Sequence, residues 1–306
     1  MPIYYYHCFG IKLASEIQIP AIPSLKNPIK PDVTVRYGKV TDKLNNAEFS
    51  SNHLAEYQAE DKKMLLKMGD KLKFLCCQGT EIIVEAGADV THELQGIYLQ
   101  ADPLSVILQQ RGLLVLHGSA IKVAENKCIV FVAPSGYGKS TAAAALHQRN
   151  YQILSDDLCL VSFKDERPYA TPSFPRIRLM DDAVETLGFD QKNLHKPLPK
   201  AKNVLRIKTA NACEIQEIFV LDKSAAVERI TFENLYGASK LHALVDNSFR
   251  REYLRCQGLE PAWLQKLGKL AASVEVNKIT RPIDGIWVKE IVHIAELRLP
   301  ITKKTC

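Results

Sequence analysis

The stretch Ala133, Pro134, Ser135, Gly136, Tyr137, Gly138, Lys139, Ser140, Thr141 gathers the residue types that hold a polyphosphate. Glycines let successive backbone N–H groups wrap phosphate oxygens, a lysine reaches the β and γ phosphates, and a hydroxyl holds magnesium. The usual pattern GxxxxGK[ST] asks for glycine where this chain has Ala133, so it is missed by one methyl group. Context supports the match. CIVFVA before the loop is an apolar β-rich run, and AAAALHQR after it is rich in good helix formers, whose N-terminus favours bound anions. We therefore expect a nucleotide-binding P-loop in which Ser135, Gly136, Tyr137, Gly138, Lys139, Ser140 and Thr141 contact ATP. The bland alternative is a strand-to-helix turn with Lys139 as a solvated first-turn residue.

Transfer of a phosphoryl group to a hydroxyl also needs a carboxylate to orient the acceptor, and magnesium commonly takes a second. Asp156 and Asp157 stand where a strand following the P-loop helix should end. Adjacent strand residues face opposite ways, so the two divide the labour, with Ser140 and Asp157 as the expected metal side; the sequence does not say which aspartate serves as base. A plain polar turn is the competing reading. His117, in VLHGSA, precedes the loop on a neighbouring strand and is a further catalytic candidate, against the commoner role of a satisfied structural histidine. Arg176 and Arg178 lie two apart between Pro175 and an acidic helix start, so both can face one side of an extended segment and clamp phosphate. Solvated arginines at a helix entry would look the same. The basic run of Lys192, Lys196, Lys200 and Lys202 suits a mobile flap or an ordinary solvated loop, and the solvated loop is the simpler account.

The elements that must position these groups follow from periodicity. Residues 1–92 read as short strands with turn punctuation (YYYHCFG, IKLASEI, DVTVRYG, MLLKM, KLKFLCC, EIIVEA), a small, mainly antiparallel β module. Between Glu93 and Arg111 the apolar spacing is helical, interrupted near Pro103, and should bridge the halves. From Leu113 onward two β-rich runs, the glycine loop, a helix and the later runs YQILSDD, LCLVSF, NVLRIKT and EIQEIFVLDK make an α/β sheet. LHALVDNSFRREYL, AWLQKLGKLAASV and IWVKEIVHIAEL read as helices and VEVNKIT as a strand, so residues 93–306 form the second domain.

A chain of 306 residues, 46% hydrophobic and 24% charged, can bury a sizeable core. It has no run of eighteen apolar residues and no signal-peptide pattern at MPIYYYHCFGIKLASE, which sets a cytoplasmic, non-membrane expectation. Eight cysteines without a CxxC pair read as reduced thiols; Cys76 and Cys77, adjacent on a strand, point to opposite faces and make a poor metal pair. A net charge of +6 suits an anionic ligand without requiring a nucleic-acid partner.

Taken in order, LHGSA, PSGYGKST and LSDDLCLV resemble the C-terminal catalytic domain of HPr serine kinase. The wider layout, from FGIKLASEIQIP through SFPRIRLMDDAVETLG to LVDNSFRREYL and ITRPIDGIWVKEIV, is similar to HPr-kinase-like proteins found beside peptide-modification genes, which include lasso-peptide precursor kinases. The resemblance implies that Gly136, Gly138, Lys139 and Ser140 bind ATP and Mg2+, that Asp156 and Asp157 serve acceptor and metal, and that His117 lies beside the phosphates. It implies a P-loop-containing α/β catalytic domain and a kinase acting on a serine of a peptide or protein. Hexamers occur among HPr kinases, so self-association is an expectation carried by the resemblance. The acidic, glycine-rich segment that bifunctional HPr kinase/phosphorylases carry after the aspartate pair is absent here, so phosphorylase activity is not expected. The residues themselves leave open a non-catalytic ATP-binding sensor or scaffold and a small-molecule kinase using the same loop.

Overall fold

The computed structural model describes residues 2–20, 22–44, 48–51, 56–60, 62–196 and 201–299. It is a mixed α/β molecule with several sheets. Lys200 of the basic run and Cys306 lie outside the described residues. The chain divides into two compact units, Met1–Val115 with Phe249–Lys266, and Leu116–Ser248 with Leu267–Cys306.

Among the described residues the first unit carries β1 (Tyr4–Cys8), β2 (Ile11–Ser15), β3 (Val33–Tyr37), β4 (Glu48–Ser51), β5 (Glu56–Glu60), β6 (Lys63–Lys67), β7 (Leu72–Cys77) and β8 (Glu81–Ala86) in one sheet of order β1-β2-β3-β8-β7-β6-β5-β4. The β2–β3 and β3–β8 pairs are parallel, and the others antiparallel. Strict alternation sets the buried face: Leu72, Phe74 and Cys76 point inward along β7 while Lys73, Leu75 and Cys77 are half-buried on the other side. Cys76 donates to the Pro103 carbonyl at 3.6 Å, and the seven described cysteines are free thiols, so the pair behaves as two packing residues. Helices α1 (His92–Leu99) and α2 (Asp102–Gln110) follow, the first capped by Thr91, whose hydroxyl accepts from Leu94 N–H at 3.2 Å. Both helices belong to this first unit.

The second unit opens with β9 (Leu114–Ala124), β10 (Lys127–Val132), α3 (Lys139–Gln148), β11 (Gln152–Ser155), β12 (Leu158–Lys164), β13 (Arg167–Thr171) and β14 (Arg176–Leu179). It continues with α4 (Asp181–Leu187), β15 (Leu194–His195), β16 (Asn203–Arg206), β17 (Cys213–Ser224), β18 (Thr231–Asn234) and α5 (Gly237–Asp246). Helix α6 (Arg251–Cys256) and the start of α7 (Glu260–Ser273) belong to the first unit, and the second resumes with the rest of α7, β19 (Glu275–Pro282) and α8 (Val288–Leu297). The main sheet runs β10-β9-β12-β13-β17-β19-β18, and β10 also pairs with β17, so the path from β10 through β13 returns to its start. Because β10 is flanked by antiparallel β9 and parallel β17, its side chains are buried on both faces, which is why CIVFV reads as a continuous apolar run. A smaller sheet, β14-β16-β15, carries the arginine pair.

The core beneath the glycine loop joins Phe131, Ala142 to Leu146, Phe219, Ile279, Ile291 and Val292. Four consecutive alanines in α3 keep that helix close to its neighbours and α8 packs on it. The run LHALVDNSFRREYL is broken between α5 and α6, contrary to the single helix its periodicity suggests. The reason is backbone pairing: Asn247 O accepts from His117 N–H at 2.8 Å, and Ser248 bridges Leu116 on β9. No helix among the described residues is long and apolar enough to cross a membrane.

Candidate active site

β10 ends at Val132 and α3 begins at Lys139, so the loop between them sits at the C-terminal end of a central strand with the helix N-terminus facing it. Gly136 and Gly138 adopt φ of +81° and +101°, and an ideal Cβ at either would meet nothing within 4 Å. Backbone conformation, not crowding, therefore requires glycine at these two positions. Ala133 has no such requirement: it is fully buried, and its methyl joins the core with Phe131 and Ala142. That explains how the loop accommodates the departure from the consensus.

Lys139 is folded back on the loop, donating from Nζ to Ala133 O at 2.7 Å and Pro134 O at 3.0 Å. Burial pushes its ammonium down to about 8, against the pull of Asp157 and Asp156. A phosphate oxygen could replace either carbonyl as acceptor and offset that burial.

The aspartates sit just past β11. Asp156 Oδ1 accepts from Ser119 Oγ at 2.6 Å and Ser140 Oγ at 2.8 Å, and its Oδ2 accepts from Arg178 N–H at 2.8 Å. Burial, then the neighbouring Asp157, raise its pKa despite these donors. Asp157 has φ +66°, a left-handed conformation that breaks strand alternation, and its backbone carbonyl accepts from Gly118 N–H at 3.2 Å. Its carboxylate takes a close, two-nitrogen contact from the Arg178 guanidinium, with Lys202 Nζ at 3.8 Å. Burial opposes ionisation of Asp157, yet Arg178, Lys202 and Arg176 hold it well below the usual carboxylate range. Ser140 is thus brought to Asp156, whereas the sequence expectation paired it with Asp157; the left-handed turn aims Asp157 at the cations instead.

Arg176 and Arg178 stand two apart on β14; Arg178 contacts Asp157 directly, and the charges of Asp157 and Asp156 act on Arg176. Arg176 is buried, stacks over Phe174 at 5.6 Å, and among the described residues its Nε and Nη1 have no hydrogen-bond partner. Burial, then repulsion from Arg178, push its guanidinium down to about 9, and it stays charged at neutral pH. Lys139, Arg178, Lys202, Ser135, Ser140 and Asp157 line a cleft of about 40 Å3 together with Gly136, Gly138 and Thr141. Four cations, Lys139, Arg176, Arg178 and Lys202, converge on two carboxylates, which leaves net positive charge for an anion.

The chemistry of the donors fits a magnesium–nucleotide. A Ser hydroxyl against a buried Asp at the start of α3 is a pairing that could hold Mg2+ where phosphates supply the remaining oxygens. Among the described residues no group of three or more His, Cys, Asp or Glu could hold a metal ion. His117 lies on β9 beside this centre, its backbone bound to Asn247, and its side chain does not line the cleft. Tyr137 faces a second cavity and lies under the Lys223 ammonium at 4.7 Å.

Two contributors escaped the sequence reading. Ser119 shares the strand face of His117 by period two, and a lone serine in an apolar run was the available signal. Lys202, read as part of a solvated loop, reaches Asp157. No family model matches this chain, and no curated protein matches it. Among solved structures it is similar to the HPr(Ser) kinase/phosphatase from Coxiella burnetii, at 13% identity over 60% of this chain and 91% of that one, with a TM-score of 0.32. That likeness is too distant to carry an argument about this chain.

Proposed function

We propose that the chain is an ATP- and Mg2+-dependent kinase of HPr-kinase-like type that transfers the γ-phosphate to a hydroxyl, a serine of a peptide or protein. The observation that carries the reading is the joining of a P-loop lysine, a Ser140–Asp156 pair and an ion-paired Asp157 around one cationic cleft. Loop amides and Lys139 would bind the phosphates, and Ser140 with Asp156 would hold the metal side. Bound magnesium would neutralise charge on the β and γ oxygens.

Asp157, the carboxylate that lines the cleft, would accept a hydrogen bond from the acceptor hydroxyl and aim its oxygen in line with the transferred group. Arg178 and Lys202 now neutralise Asp157 and would pass to phosphate oxygens when the acceptor arrives. Asp156, besides serving the metal side with Ser140, would fix the backbone at Arg178 through its second carboxylate oxygen. The choice of a peptide or protein serine rests on the sequence resemblance.

The test is phosphate transfer from γ-labelled ATP with Mg2+ in lysate of the source cell, comparing wild type with Lys139→Ala and Asp157→Asn. A labelled polypeptide band lost in both variants is expected, with ATP binding retained by Asp157→Asn. Tight, Lys139-dependent ATP binding without any transfer would overturn the kinase assignment.

A further inference from the structure

A second cavity, of about 180 Å3, adjoins the phosphate cleft and shares Gly136, Gly138, Thr141 and Met180 with it. The space is more than ten times the ~10–15 Å3 that admits one water. Its walls include Tyr137, Met180, Ile286 and Trp287, with Asp182, Thr186 and Arg281 as polar groups, and Arg281 Nη1 donates to the Pro282 and Ile283 carbonyls at 2.8 and 3.0 Å. Met180 and Ile286 are 56% and 68% exposed, an unusual outlay of apolar surface beside a charged loop.

The aromatic wall is held in place. Trp287 Nε1 donates to Asp284 O at 2.6 Å, and the indole lies flat against Gly285, where an ideal Cβ would come within 3.0 Å of Nε1. Gly285 also has φ +93°, so only glycine permits that approach. The Lys223 ammonium lies over the Tyr137 ring at 4.7 Å from its centroid. Asp182 uses Oδ1 to accept from Ala183 N–H at 2.8 Å, which leaves Oδ2 to accept from an exocyclic amine.

Polarity along the loop says which end of a ligand this cavity meets. Lys139, Asp157, Arg178 and Lys202 line only the phosphate cleft, so the transferred phosphate and its acceptor belong there. The larger cavity continues from the shared Gly136, Gly138, Thr141 and Met180 toward Tyr137, Ile286 and Trp287, away from Lys139, Arg178 and Lys202, and offers room for the non-transferred part of the ligand. We propose that it is the purine-base subsite, with Trp287 as the stacking anchor and Asp182 as the acceptor for a base amine. This rests on the reading of the loop as a triphosphate site, and it selects a nucleoside triphosphate over inorganic polyphosphate as donor.

The test is calorimetric binding of ATP and of inorganic triphosphate, each with Mg2+, to wild type, Trp287→Ala, Trp287→Phe and Lys139→Ala. Wild type should prefer ATP; Trp287→Ala should weaken ATP about tenfold or more, the effect of losing a base–aromatic stack, and leave triphosphate unchanged. Trp287→Phe, which keeps a stacking ring, should retain most ATP affinity, and Lys139→Ala should weaken both ligands. Because the chain has two tryptophans, ATP but not triphosphate should also quench part of the fluorescence, and Trp287→Phe should remove that quench. Equal binding of ATP and triphosphate by wild type, or an unaltered ATP affinity in Trp287→Ala, overturns the base subsite while leaving the phosphate site standing. Binding of neither ligand by wild type overturns the phosphate reading and the subsite with it.

Discussion

Replacing Lys139 with Met should reveal how far the loop lysine is held against its own preference. The side chain is 5% exposed, and its ammonium is moved from 10.5 to about 8 by burial. At 1.36 kcal/mol per pH unit, that displacement amounts to a cost of about 3 kcal/mol for keeping the charged lysine in the folded chain. The unfolded lysine holds its proton up to about pH 10.4, whereas the folded one releases it near 8. Between those limits the unfolded state binds more protons, so stability rises with pH through that window and the cost is present in full below it. Lys139→Met keeps the stem and removes the charge. It also orphans the carbonyls of Ala133 and Pro134, a penalty that does not change with pH. Urea unfolding of both proteins at pH 7 and pH 10, followed by far-UV circular dichroism, separates the two contributions. The stability of wild type relative to the variant should improve by about 2–3 kcal/mol between the two pH values. A difference that stays constant across pH would refute the reasoning and mean that Asp156 and Asp157 fully compensate the buried ammonium.

Ser119→Ala removes the 2.6 Å hydrogen bond to Asp156 and should raise the already elevated pKa of that carboxyl, read by carbon NMR titration; no upward movement would detach Ser119 from the site. Gly118→Ala would put a Cβ 2.8 Å from Phe131 O and force β9 from β10, with an expected loss of about 1–3 kcal/mol in urea unfolding.

The loop and its flanks were legible because they depend on local rules: an apolar strand buried on both faces, glycines at left-handed positions and a helix of good formers. The aspartate pair was legible in position and not in role. Strand alternation assigned opposite faces to Asp156 and Asp157, but a left-handed φ at Asp157 re-aims its carboxylate, and a single sequence does not announce that turn. Lys202 is 45 residues beyond Asp157, and only the pairing of β14 with β16 carries it back to the cleft. The break after α5 followed from backbone pairing with β9, a tertiary demand that overrides helical periodicity. Trp287 gave no local signal, since its role depends on the loop it adjoins across the fold.

The order in which the second unit's strands arrive has a consequence during synthesis. β10 takes β17 as a parallel partner, and β17 in turn takes β19, so the strand leading to the glycine loop is fully supported only after Pro282 has emerged. From Lys139 onward, that is about 140 residues, or roughly 7–30 s at ~5–20 residues per second. For that interval the nascent chain carries an unfinished apolar strand edge in CIVFV.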